Sequence, residues 1–139
     1  MSAGYRILEH TADVGIEAWG ETRERAFEQA AWGLAEILGA KAESRGRAPA
    51  HARVAASGSD TGAVLVDFLN ELLLLHETRE GAFVDVRVTR MSDSELEADV
   101  DVVPLEGETE TTGVKAATYH RLEVGETPEG WRARVYLDV

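Results

Sequence analysis

The chain contains no cysteine, which removes disulfide frameworks, thiol nucleophiles and zinc–thiolate sites together. No apolar run approaches the roughly 18 residues a membrane-crossing helix needs, and the opening MSAGYRILEH lacks the apolar stretch of a secretory leader. Basic charge is scarce. Fourteen Lys and Arg stand against 26 Asp and Glu, a formal balance of −12, and only Lys41 and Lys115 are lysines. A body this acidic repels a phosphate backbone, so direct nucleic-acid binding is not expected. The sequence also has no GxxxxGK[ST], no GxGxxG, no HExxH and no GxSxG. The four histidines, His10, His51, His76 and His120, fall far apart with no i, i+4 pair, so no spacing points to a histidine zinc site.

What is present is the material of a core. Apolar residues make up 44% of 139 residues, too many for a disordered acidic tail and about one domain's worth of chain. Residues 1–139 are therefore read as a single cytoplasmic domain.

Tyr5–Glu9 and Val14–Trp19 read as short strands flanking the polar knot His10-Thr11-Ala12-Asp13. Thr22 is an N-cap with Glu24 in the first turn, where the helix dipole favours an anion. Ala26, Phe27, Ala30, Ala31, Leu34 and Leu38 then recur at helical spacing, and Gly39 supplies the stop. Lys41–Pro49 is a polar, basic connector, and His51–Ser57 is a weak strand. Asp60 or Thr61 caps a second helix whose Val64, Leu65, Phe68, Leu69, Leu72 and Leu73 form a broad apolar face. Leu74 and Leu75 carry the apolar run past one stripe and leave surface without a partner. From Val84 the period becomes two, with Val84, Val86 and Val88, then Leu96, Ala98, Val100 and Val102, alternating with polar residues across a turn at Met91–Ser94. A turn at Pro104–Gly107 leads into a Glu/Thr loop through Thr112. Val114–Val124 is extended, and Trp131, Ala133, Val135 and Leu137 mark a last strand. The fold class is α+β. The expected architecture is a two-layer sandwich with both amphipathic helices on one face of a mostly antiparallel sheet, and a split layout with two sheets is the alternative.

Three places carry candidate chemistry. Asp13 lies between two strands, where an aspartate commonly bonds its own backbone as a turn-former, and His10 beside it reads as a structural hydrogen-bonding residue. The chain closes inside a strand pattern with Asp138-Val139, which brings a side-chain and a terminal carboxylate to one sheet edge, or else a simple solvated end. If Asp13 converges on them, three anionic groups share a pocket. Two such charges about 4 Å apart repel by roughly 4 kcal/mol at an effective dielectric near 20. Protonation relieves that, or a hard cation does, and oxygen-only ligands favour Ca²⁺ or Mg²⁺ over Zn²⁺. Lys115 in GVKAATYH is either a strand-surface lysine or the counter-ion of such a pocket. The row Glu97, Asp99, Asp101 reads as a solvated strand face that also offers a docking surface to a basic protein.

HTADVGIEAWG followed by ETRERAFEQAAWGL, then VDFLNELLLL, VKAATYHRLEV and the ending YLDV together resemble the archease family over nearly the whole chain, with the connector Glu43–Ala50 as its poorly matching part. The resemblance implies a small cytoplasmic, non-catalytic protein that activates a GTP-dependent RNA ligase of the RtcB type. It would promote guanylylation and multiple turnover of that ligase in tRNA splicing or RNA repair. It further implies a divalent-cation site, Ca²⁺ first and Mg²⁺ second, built from Asp13, Asp138 and the carboxylate of Val139. His10, Glu71, Lys115 and His120 would line the same pocket. A stand-alone metal-dependent phosphohydrolase using His10 or His120 as acid or base, a chaperone-like modulator of RNA-modifying enzymes, and a general holdase-like binder using the Leu72–Leu75 surface are the competing expectations.

Overall fold

The structure, a computed structural model, describes residues 2–9, 13–79, 81–105 and 113–139. Seven strands and two helices follow in the order β1 (Gly4–Glu9), β2 (Val14–Gly20), α1 (Arg23–Leu38), β3 (Ala50–Ser57), α2 (Thr61–Arg79), β4 (Gly81–Met91), β5 (Glu95–Pro104), β6 (Ala116–Thr127) and β7 (Gly130–Asp138). The α+β class holds, and the strands divide between two antiparallel sheets, β1-β2-β7-β6 and β3-β5-β4. This is the split layout rather than one continuous sheet. The helices do not sit over one sheet each: α1 packs on β1, β2 and β7 and also on β4, while α2 packs on β6 and on β3, β4 and β5. One apolar cluster runs through both sheets and both helices, from Ile16 and Val135 through Phe27 and Phe68 to Phe83 and Val100. Each fully buried side chain of that size contributes about 1.5–3 kcal/mol of transfer free energy, so the helices act as the seam between the sheets.

Local chemistry sets the helix ends. The Thr22 side chain accepts from the Arg25 backbone N–H at 3.2 Å, and Gly39 closes α1 in the left-handed region at φ 66°, which a residue without Cβ enters at no steric cost. On α2 the choice between Asp60 and Thr61 falls to Asp60, whose Oδ1 accepts from the Ala63 N–H at 2.8 Å. At the other end His76 is buried, its Nδ1 2.8 Å from the Gly81 carbonyl. Leu72 and Leu73 are buried and Leu75 packs partly against the core, so the apolar surface expected at Leu72–Leu75 reduces to Leu74, 51% exposed.

Two contacts tie α1 and the connector to β4. The carboxylate of Glu28, buried on α1, accepts the Val88 backbone N–H at 2.8 Å and an Arg25 N–H at 2.9 Å. Beyond α1, Lys41 forms an isolated parallel bridge with Phe83, so the connector begins docked on the sheet. The expected turn after Pro104 and the Glu/Thr loop fall mostly on residues 106–112, outside the described residues. Among the described residues no helix is long and apolar enough to cross a membrane.

Candidate functional site at the closing end of the four-stranded sheet

The register of β2, β7 and β6 brings three distant parts of the sequence to one end of the sheet. Glu9 pairs with Val14, so residues 10–13 span the β1–β2 connection; His10, Thr11 and Ala12 lie outside the described residues, and Asp13 is half-buried. Val14 pairs with Leu137, and Ala116 pairs with Asp138. The β2–β7 pairing ends at Val14 and Leu137, the chain neighbours of Asp13 and Asp138. The Lys115 backbone N–H donates to the Asp138 carbonyl at 2.8 Å, which holds the closing residues on β6. The side chains of Lys115, Asp138 and Val139 are exposed.

Two of the remaining expected residues, Glu71 and His120, lie on α2 and β6, the elements that flank this end. Glu71 is half-buried on α2 and follows Asn70, whose amide brackets Ala117: its Oδ1 accepts the Ala117 N–H at 2.7 Å and its Nδ2 donates to the Ala117 carbonyl at 3.4 Å. Ala117 itself pairs with Leu137, so the clamp fixes α2 to the same strand ends. His120 lies where the β6–β7 register shifts between Thr118 and Glu123, and its ring meets that of Tyr136 edge-on with centroids 6.1 Å apart. Arg121 adopts the left-handed region at φ 54° and lays its guanidinium 5.9 Å over the same ring. Gly15 pairs with Tyr136, and a Cβ there would come within 2.8 Å of the ring. Glycine at 15 is thus what lets Tyr136 lie flat across β2.

Among the described residues no three His, Asp or Glu side chains gather as a metal cage. The candidate centre asks less of its side chains, two aspartates plus a main-chain carboxylate, and that all-oxygen donor set suits a hard cation. Asp13, Asp138 and the Val139 carboxylate would hold the ion, with Lys115 as the nearby positive group.

The outer face of the same sheet carries a charge row that sequence patterning did not reveal. Arg6, Glu17, Arg134 and Glu123 stand on β1, β2, β7 and β6 in register, with Arg6–Glu17 at 2.6 Å, Glu17–Arg134 at 3.1 Å and Arg134–Glu123 at 3.5 Å. Glu17 is only 5% exposed. Burial alone pushes its carboxyl up, but the hydrogen bond from Arg134 and the charge and hydrogen bond of Arg6 outweigh it and hold the group below the ordinary glutamate value. Arg134 is raised in turn, first by its hydrogen bond to Glu17. A lone acid inside the apolar strand VGIEAWG is the signal that would have marked Glu17; Asn70 inside VDFLNELLLL is the equivalent signal for the clamp on β6.

The model of the archease protein family matches residues 5–139. The chain belongs to the archease family. A protein archease of Methanosarcina barkeri is 33% identical over 97% of this chain and 95% of its own length, and one of Thermococcus gammatolerans is 36% identical over 94% and 95%. The solution structure of a Methanobacterium thermoautotrophicum protein superposes with a TM-score of 0.75 at 30% identity, covering 98% of this chain and 99% of that one. A Thermotoga maritima archease, described as a possible chaperone, shares the fold with a TM-score of 0.66 at 24% identity and 96% coverage of both chains. The two archease structures account for the α+β layout of two helices and seven strands found here.

Proposed function

We propose that this archease-family protein is a non-catalytic cytoplasmic activator of a GTP-dependent RNA ligase of the RtcB type, acting in tRNA splicing or RNA repair and raising ligase guanylylation and turnover number. The single observation behind this reading is the strand pairing at one sheet end, where Val14, next to the HTAD block, pairs with Leu137, and Ala116 and the Lys115 N–H of the VKAATYH block meet Asp138. In this reading Asp13, Asp138 and the Val139 carboxylate hold a divalent cation, Ca²⁺ before Mg²⁺, and Glu71, Lys115, His10 and His120 line its surroundings. A bound cation there supplies positive charge that orients anionic oxygens. The chain's own residues hold that end of the sheet rigid: the Lys115 N–H pins Asp138, and Asn70 pins Ala117. A formal charge of −12 fits an approach to a basic RNA-handling enzyme rather than to the RNA itself.

The test is ligation with the cognate ligase limiting. The protein alone joins no RNA and hydrolyses no nucleotide, while in the mixture product exceeds ligase many-fold. Asp13→Ala, or a chain extended past Val139, binds Ca²⁺ at least ten-fold more weakly by calorimetry and activates in proportion. No gain over repeated turnovers overturns the reading; phosphatase or nuclease activity lost in Asp13→Ala would replace it with the hydrolase.

A further inference from the structure

At the other end of the β1–β2 ladder, where Tyr5 pairs with Ala18, a groove of about 550 Å³ opens between α1 and the connector. Its size falls in the range of small-ligand sites. Tyr5 of β1 and Trp32 of α1 line it, both half-buried and packed partly against the core. Lys41, Glu43 and Arg45 of the connector and Gln29 of α1 complete it.

The groove gathers two of the chain's scarce cations, Lys41 and Arg45, beside the acids Glu43 and Glu36. Lys41, Arg45 and Arg47 fall within seven residues against the single acid Glu43, although the chain as a whole carries 26 acids to 14 bases. Lys41 is prepositioned: its ammonium donates to the Tyr5 hydroxyl at 2.7 Å, lies 5.3 Å from the ring centroid, and the Tyr5 hydroxyl passes its own hydrogen to Glu36 at 3.0 Å. That uses one of the three ammonium N–H groups, and the described residues supply no partner for the others. Arg45 is presented by a built turn. Its backbone sits in the left-handed region at φ 47°, the Arg47 N–H donates to the Ser44 carbonyl at 2.8 Å, and the Arg47 guanidinium reaches the Ser44, Glu43 and Pro104 carbonyls at 3.2–3.3 Å. The Arg45 side chain is 77% exposed, with its nearest acid, Glu43, 4.0 Å away.

We propose that this groove binds a nucleoside phosphate, with the base against Trp32 and Tyr5 and the phosphate on Lys41 and Arg45. Planar aromatic walls favour a flat ring, and a stacked base is worth about 1–3 kcal/mol. Two cations with free donors favour a compact anion, and the Gln29 amide offers both a donor and an acceptor to a base edge. An anion alone would leave the walls unused, and a neutral ring would leave the cations unused. The site is separate from the candidate ion centre and stands whether or not the ligase reading does.

The experiment is a titration of the isotope-labelled protein followed by the indole N–H resonances of Trp19, Trp32 and Trp131. AMP shifts Trp32 saturably and leaves the other two in place, whereas adenosine and inorganic phosphate, in separate arms, each bind at least ten-fold more weakly. Lys41→Met and Arg45→Asn each weaken AMP at least five-fold; asparagine tolerates the left-handed backbone at 45, so the turn survives the loss of charge. The proposal is overturned if AMP gives no saturable shift at Trp32, if phosphate alone matches AMP, or if both variants keep the native spectrum and the full AMP affinity.

Discussion

The outer faces of the two sheets carry similar charges put to different use. On the four-stranded sheet, Glu17 lies under its partners Arg6 and Arg134 and is nearly lost to solvent. On the three-stranded sheet, Asp101 meets His51 at 2.8 Å and Arg87 at 3.3 Å, Asp99 meets Arg53 at 3.5 Å, and Arg87 also reaches Asp85, all at the surface. The hydrogen bond of His51 is the largest influence holding the Asp101 carboxyl below its ordinary range, with Arg87 adding to it. Burial, not the number of ion pairs, sets what each array is worth. An exposed pair contributes about 0–1 kcal/mol, while removing one member of a buried pair leaves an uncompensated charge and costs several times more.

Three measurements would break or sharpen that contrast. Glu17→Gln has the largest expected effect, a loss of about 2 kcal/mol in urea unfolding, kept below the 3–5 kcal/mol of a fully buried pair because Arg6 reaches water. A loss no greater than that of Asp101→Asn would erase the distinction. Next is the response to acid. Glu17 titrates in the folded state below its ordinary value of 4.5, so its contribution is complete above about pH 4.5 and disappears as pH falls through the lower folded value. Asp101 has the same sign, present above 3.8 and lost below it. Stability plotted against pH should therefore fall on the acid side in the wild type, and Glu17→Gln should flatten that slope more than Asp101→Asn does. The smallest effect is Asp101→Asn itself at neutral pH, at most about 1 kcal/mol, and it should vanish near 1 M salt, where the screening length is about 3 Å. The Glu17 loss should persist there.

Local elements were legible in the sequence because local chemistry decides them. Thr22 and Gly39 bound α1 through a side-chain acceptor and a left-handed backbone, and Val84 to Val102 announce a hairpin by alternation. The row Glu97, Asp99, Asp101 read as a solvated face, and Asp99 and Asp101 are the acids that His51, Arg53 and Arg87 meet there. What alternation does not encode is which strand lies beside which. An antiparallel pattern is equally satisfied by one sheet or two, and the division follows from α1 and α2 each packing across both. The pairing of Val14 with Leu137, which joins the two ends of the chain, is not encoded in local pattern either. The row through Glu17 was missed for the same reason: Arg134 is 117 residues away. Leu74 shows the reverse error. A four-leucine run promised a wide sticky surface, and helix geometry turned all but one of those side chains inward.

Strand β4 borders the three-stranded sheet with one side open, the kind of rim along which separate molecules zip together. Here the rim is stoppered at two points: the Phe83 N–H donates to the Ala40 carbonyl at 2.6 Å and the Ala42 N–H to the Phe83 carbonyl at 3.0 Å, while Glu28 occupies the Val88 N–H from above. A buried acid on a helix thereby also occupies a donor that an edge strand would otherwise offer to a neighbouring molecule.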